Sequence, residues 1–325
     1  MDELKFSARL NSFQSEFESY DAGKNEVGVL DLIERISIAK CISHIELNYP
    51  QHFEKNTVDE IGQHLLKLNL KLSGIGLRYD KRFYNGEFTN NEEGVRDTAG
   101  SITREAVDIC RRMGGNIVTL WCANDGFDYA FQLDYEDAWA KHISVIREIA
   151  EQNPDIKISI EYKPYQPRAF SLIGDIGTTL LAIEDMKCSN IGVTLDFCHM
   201  LMKKENPAFS LALAASRGRL FGVHLNDGYK DNDDGLMIGS VHFMQTLEFI
   251  YYIKKYGYNG IVYFDTFPIR EDPVKECEMN AKAFRLLSGK IDDIGLEKID
   301  EIIRNRNALE SQQMLLDIIG SNILT

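Results

Sequence analysis

Lys157-Ile-Ser-Ile-Glu161-Tyr-Lys163-Pro164 and Ile191-Gly-Val-Thr-Leu-Asp196-Phe-Cys-His199 are short apolar runs on either side of an amphipathic stretch, Thr178–Met186. Apolar runs of this length read as strands buried on both faces, and the helix between them marks a parallel pair joined by a crossover. The same beat repeats along the chain. Strands are expected at Lys5–Asn11, His44–Tyr49, Lys71–Arg78, Asn116–Asn124, Lys157–Lys163, Ile191–His199, Leu220–Asn226 and Gly260–Phe267. Helices are expected at Val27–Ala39, Val58–Leu68, Ala99–Met113, Ala138–Glu151, Thr178–Met186, Phe243–Tyr256 and Val274–Leu287. In Val58–Leu68 the apolar residues Val58, Ile61, Leu65 and Leu68 fall at helical spacing. Gly114-Gly115, Asn153-Pro154 and Gly257 punctuate the change from helix to strand. Alternation of this kind specifies an α/β fold with a parallel sheet. A doubly wound sheet would carry a Gly-rich turn after its first strand, and Asn11-Ser-Phe-Gln-Ser15 is not one. The expected fold is a (β/α)8 TIM barrel over residues 1–288 with a C-terminal helical extension over 289–325. That extension, with Ile299, Ile302, Ile303, Leu309 and Leu315, would pack on a neighbouring subunit or cap the barrel's own floor.

The chain has 325 residues, of which 44% are hydrophobic, enough to bury a full core. Its 36 Lys and Arg against 50 Asp and Glu leave a net charge of −14, which argues against a nucleic-acid or anionic-membrane partner. No run approaches the ~18 consecutive apolar residues of a spanning helix. Met1–Phe6 has neither the basic nor the apolar segment of a signal peptide. Six scattered cysteines without a CxxC pair read as free thiols in a reducing compartment, so a cytoplasmic address is expected.

A parallel barrel carries its chemistry at the C-terminal ends of its strands. Strands five to eight end on Glu161, Asp196, His224 and Asp265. One acidic residue after a strand is ordinarily a cap or loop residue. Four such groups on adjacent strands, converging on a barrel mouth, would repel one another unless a cation neutralised them. Three carboxylates and an imidazole suit a hard or borderline divalent ion, with Mn²⁺ the first candidate and Mg²⁺, Co²⁺ or Zn²⁺ the others. Lys163 lies two residues beyond Glu161 and faces the same side, where it could donate to a substrate carbonyl. His199 lies three residues past Asp196 and could reach a second ion, with Asp231, Asp233 and Asp234 as candidate partners.

These strand ends resemble the metal-dependent aldose–ketose isomerases of the xylose isomerase-like barrel superfamily, D-xylose isomerase and L-rhamnose isomerase. Glu161-Tyr-Lys163-Pro-Tyr-Gln-Pro-Arg168 is similar to the family's Glu-x-Lys-Pro-x-x-Pro-Arg segment. Asp196-x-x-His199 resembles its acidic-x-x-His pair, His224-Leu-Asn226 follows the rhamnose isomerase branch, and Phe264-Asp265 resembles the Phe-Asp of strand eight. The resemblance covers roughly Asn116 to Pro268 and includes Trp121 as an apolar wall for the sugar. It implies a first metal on Glu161, Asp196, His224 and Asp265. It implies a second on Asp196, His199 and loop carboxylates, either the Asp231/Asp233 pair or Asp233 or Asp234. Lys163 would polarise the sugar carbonyl during a 1,2-hydride shift. Asn48, Asn226 and Arg168 are the other expected substrate contacts.

Strand two departs from the family pattern. Where xylose isomerase has a ring-opening His, this chain has Glu46-Leu-Asn48-Tyr-Pro, so His52 would have to reach in or the sugar would arrive already open. The rival activity is that of the superfamily's ketose 3-epimerases, which use one metal and two metal-bound carboxylates as acid and base. A sugar-binding relative without turnover is the third reading. The family's dimers and tetramers imply a homodimer or homotetramer acting on a small-molecule sugar.

Overall fold

A computed structural model describes residues 5–14 and 27–320. Eight parallel strands form its centre: β1 (Lys5–Ala8), β2 (His44–Tyr49), β3 (Lys71–Leu77), β4 (Ile117–Leu120), β5 (Lys157–Glu161), β6 (Ile191–Asp196), β7 (Leu220–Leu225) and β8 (Ile261–Phe264). From β2 onward each pairs with the next in sequence, and β8 returns to β1 in the register Phe6 opposite Val262. Isolated parallel bridges, Phe6 with Ile42 and Arg9 with Glu46, bring the edge at β2 back to β1. The TIM barrel is closed by these contacts.

All strands but β2 are shorter than expected at their C-terminal ends, because the last residues of those runs leave the ladder to form the mouth. Ile191–His199 shows why. The strand stops at Asp196, whose carboxylate accepts the His199 N–H at 3.0 Å and caps a short helix, Phe197–Met202. That helix and its successor, Pro207–Ser216, were not legible in the sequence.

Helices α1 (Val29–Ile36), α2 (Val58–Lys67), α3 (Glu93–Arg112), α4 (Tyr135–Gln152), α5 (Ile176–Met186), α6 (Phe197–Met202), α7 (Pro207–Ser216), α8 (Phe243–Lys255) and α9 (Pro273–Ile294) surround the strands. Outward-facing Val118, Ile158, Ile160, Val193, Leu195, Val223, Leu225, Val262 and Phe264 are buried against them. The inner face carries small or polar residues. Ser159 and Thr194 hydroxyls meet at 2.6 Å, and those of Ser7 and Ser73 at 3.4 Å. Gly76 has its place here: a Cβ on it would stand 3.0 Å from the carboxylate of Glu46. Apolar packing therefore lies between strands and helices, leaving the barrel's axis free for chemistry.

The last barrel helix does not stop near residue 288. α9 runs through Gly289 to Ile294 and ends at Gly295, whose φ of +86° suits glycine at a helix end. The extension is α10 (Leu296–Asn305) and α11 (Ala308–Gly320); residues 321–325 of the expected segment lie outside the described residues. α10 docks on its own barrel. Ile299 and Ile302 are buried, and Asp300 accepts from Tyr251 of α8 at 2.5 Å and pairs with Lys255. Among the described residues no helix is long and apolar enough to cross a membrane. All six cysteines are free.

Candidate metal centre

Inward positions recur every second residue on a strand, and parallel register stacks them across neighbours. Asp196 pairs with His224, and His224 with Tyr263, so Asp265 at the next inward position completes the ring at the mouth. Glu161, Asp196, His224 and Asp265 each place one donor atom within 4.8 Å of the others, and all four are buried. Asp196, His199 and Asp233 form a second group of the same compactness, so Asp196 belongs to both.

Burial alone would push every acid here upward, and the neighbours decide the outcome. Burial, reinforced by the charges of Asp233, Asp265 and Glu161, raises Asp196 to about 7. Burial with Arg9 opposing it, and Asp233 and Glu161 adding to it, leaves Asp265 raised. Against its burial, Glu161 is held down at about 2 by His224, His199 and Arg78. Both imidazoles go the opposite way from what burial favours: Asp196, Asp233 and Glu161 raise His199 to about 9, and Glu161, Glu46 and Asp265 raise His224 to about 10. Without a cation, protons on the imidazoles hold the cluster together.

The donor set fits a divalent ion on independent grounds. Seven buried side-chain nitrogen or oxygen atoms among the described residues lack a hydrogen bond; Asp233 Oδ1 and Asp265 Oδ1 are two of them, and His224 Nδ1 is a third, facing Glu161 Oε1 at 3.3 Å. Leaving such atoms unpartnered costs about 1–3 kcal/mol each, and a cation bound between them removes that cost. Supporting bonds fix the ligands from outside. Asn226 donates to Asp196 Oδ2 at 3.1 Å and to the Asp265 carbonyl at 3.2 Å, while its own oxygen accepts from Cys198 N–H at 2.8 Å. His199 Nδ1 donates to the Tyr162 carbonyl at 2.9 Å, which orients its Nε2 inward.

Lys163 Nζ lies 3.0 Å from Asp233 Oδ2 and 5.4 Å from the centre of the Trp121 ring. Arg78 stands 5.2 Å from the same ring. Trp121 therefore carries two cations at the edge of the cup.

Several expected site residues have other duties. His52 accepts the Asn48 N–H on Nδ1 at 2.9 Å and donates from Nε2 to Asn11 at 2.8 Å. Burial, with Arg78 and Arg9 nearby, lowers it to about 4. It is a neutral imidazole with both nitrogens engaged, so it has none left for ring opening. The Asn226 side chain is engaged with Asp196, the Asp265 carbonyl and the Cys198 N–H. Arg168 pairs with Asp128 at 2.8 Å, beside the antiparallel ribbon formed by Gly126–Phe127 and Phe170–Ser171. Of the three loop carboxylates only Asp233 enters the cup. Asp234 accepts the Tyr229 N–H at 2.6 Å and Asp231 is exposed, so neither the Asp231/Asp233 pair nor an Asp234 ligand forms. Asn48 faces inward, with its amide on Gln51 at 3.3 Å.

Three further neighbours of the cup lie outside the expected site residues, and one of them, Arg78, reads in sequence as a surface or loop charge. Glu46 sits inside β2, 3.9 Å from His224 Nε2, and burial raises it to about 6. Arg9 follows β1 and stands 3.5 Å from Asp265 Oδ1. Arg78 occupies the inward position after Gly74 and Gly76, and counting in twos from those glycines would have found it.

Comparison with known proteins agrees with this barrel. A sequence profile described as "Xylose isomerase-like TIM barrel" matches residues 39–284. The chain belongs to that family. Xylose isomerase of Thermus thermophilus is 25% identical over 224 residues, which cover 67% of this chain but only 57% of that relative. Among solved structures, an L-ribulose 3-epimerase superposes with a TM-score of 0.71 at 16% identity, covering 93% of this chain and 98% of the other. A D-tagatose 3-epimerase-like protein gives 0.68 at 18% identity, covering 89% and 100%. At such identities the likeness is one of fold.

Proposed function

We propose that the chain is a divalent-metal-dependent sugar isomerase that interconverts an aldose and a ketose by a 1,2-hydride shift. The observation that carries this reading is the standing of Asp196 in both donor groups, with Lys163 at the edge of the second. Glu161, Asp196, His224 and Asp265 would hold the first ion, and Asp196, His199 and Asp233 a second. Mn²⁺, Mg²⁺ or Co²⁺ bound there supplies Lewis acidity to the sugar oxygens.

The chain's own groups do the rest. Trp121 offers an apolar face to the carbon skeleton, and Asp233 holds the Lys163 side chain across the cup. Lys163 Nζ donates to the carbonyl oxygen as negative charge develops there, a contribution of the size found for one oxyanion donor, about 3–4 kcal/mol. Asn226 holds Asp196 in place while the substrate binds.

One feature favours an epimerase instead. Asp233 Oδ2 already accepts from Lys163 and from His199 Nε2 at 3.2 Å, which would leave the second group without an ion. A single ion with carboxylates as acid and base then remains. Turnover of aldoses and ketoses with Mn²⁺ in D₂O, read by mass spectrometry, separates the readings. Carbonyl migration without carbon-bound deuterium supports hydride transfer; deuterium at the reacting carbon replaces it with epimerisation. Metal and sugar binding without turnover removes both.

A further inference from the structure

Behind Trp121 lies a cavity of about 20 Å³, the room one water or one ion needs. Glu161 and Lys163 contribute to one part of its wall, and Cys122, Asp125, His142 and Ser171 to another. Cys122, Asp125 and His142 place one donor atom each within 4.8 Å of one another. His142 is only 2% exposed, and its Nε2 has no partner. The tautomer is fixed: Nδ1 donates to Asp125 Oδ2 at 2.9 Å, because that carboxylate has no proton of its own to give while it accepts from Glu87 N–H, Thr89 N–H and the Thr89 hydroxyl. The Nε2 lone pair is therefore free and buried, on a residue that lines the same small cavity as Cys122.

We propose that Cys122 and His142 form a further cation site, for a thiophilic divalent ion such as Zn²⁺, adjoining the oxygen-rich cup across the wall made by Glu161 and Lys163. Asp125 is the outer carboxylate that orients the imidazole, an arrangement common around zinc. Binding exchanges one proton for the ion: the Cys122 S–H bond breaks, the sulfur–metal bond forms, and the proton leaves to solvent. The thiolate and the Asp125 carboxylate then balance the ion's two charges. Soft sulfur with imidazole selects Zn²⁺ over the Mn²⁺ or Mg²⁺ that carboxylates favour. Because Cys122 directly follows Trp121 and the cavity shares Lys163 with the cup, occupation would be felt at the sugar site as inhibition by excess Zn²⁺.

The test uses the full chain with its cup first saturated with Mg²⁺, followed by titration with Co²⁺. A thiolate-to-cobalt charge-transfer band is expected, lost in C122S, retained in C198S, and shifted at least 10-fold in midpoint concentration in H142Q. Absence of the band, or a band that survives C122S and disappears in C198S, overturns the proposal. C198S is the needed control, since Cys198 adjoins the cup and donates to the Asn232 carbonyl. X-ray absorption at the zinc edge of the unmutated, Mg²⁺-saturated protein gives a check independent of variant folding: one sulfur neighbour supports the site, and a shell of only nitrogen and oxygen refutes it. Neither readout depends on the sugar reaction.

Discussion

Two buried carboxylates sit at neighbouring strand ends and have opposite fates. Asp227, just past β7, accepts from Gly228 N–H at 2.9 Å, Val241 N–H at 2.9 Å, His242 N–H at 2.8 Å and His242 Nδ1 at 2.9 Å. Asp265, just past β8, has an Oδ1 with no hydrogen bond and Arg9 Nε 3.5 Å away. In sequence both are an acid at the end of an apolar strand. Asp227 fastens the loop that returns to α8, whereas Asp265 is held in position by its strand and left short of partners. The difference teaches that two acids alike in sequence are told apart by how many of their oxygens the surrounding loop has already engaged.

The largest expected effect lies beyond both acids. Replacing Lys163 by Met should lower turnover by about 10²–10³-fold, with Mn²⁺ affinity measured by calorimetry changed only a few-fold. Equal losses in both would make Lys163 part of the metal-holding framework instead. Next comes the direct comparison. Asp265→Asn should weaken Mn²⁺ binding by roughly 100-fold or more while leaving the metal-free fold at least as stable, because it removes charge from a self-repelling cluster. Asp227→Asn should do the reverse, costing about 1–3 kcal/mol in urea unfolding with Mn²⁺ affinity nearly unchanged. If the two variants behaved alike, the contrast between them would fail.

A smaller effect concerns pH. His199, His224, Asp196 and Glu46 all have folded-state values raised above their ordinary ones, to about 9, 10, 7 and 6. A raised group stabilises the fold below its unfolded value and loses that contribution as pH climbs through the folded one. The melting temperature of metal-free protein should therefore fall from about pH 4 to about pH 10, the two acids contributing below about pH 7 and the two imidazoles above about pH 6.5. Metal displaces the same protons, so the rise in melting temperature on adding Mn²⁺ should grow over that window. A rise independent of pH would mean the ion binds elsewhere.

Much of this was legible in sequence. The eight strands were readable because parallel strands covered on both faces are apolar throughout, and β2 was placed to the residue, at His44–Tyr49. That Glu161, Asp196, His224 and Asp265 converge was readable because the strand ends of such a barrel meet at its mouth. α6 and α7 were not, since Phe197–Met202 continues the apolar character of the strand before it. Glu46 lay hidden within a strand, and only coordinates reveal that the amide groups of Asn226 are already bonded. His52 was misread for the same reason: its partners, Asn11 and the Asn48 N–H, come from two different strand ends.

Anomalous X-ray scattering from Mn²⁺-soaked crystals tests most directly whether the unpartnered atoms of the cup are metal ligands. The expected result is a strong peak among Glu161, Asp196, His224 and Asp265, with a second beside Asp196, His199 and Asp233 if two ions serve the reaction. Manganese bound elsewhere, with the cup free of a peak in crystals of active protein, would contradict it.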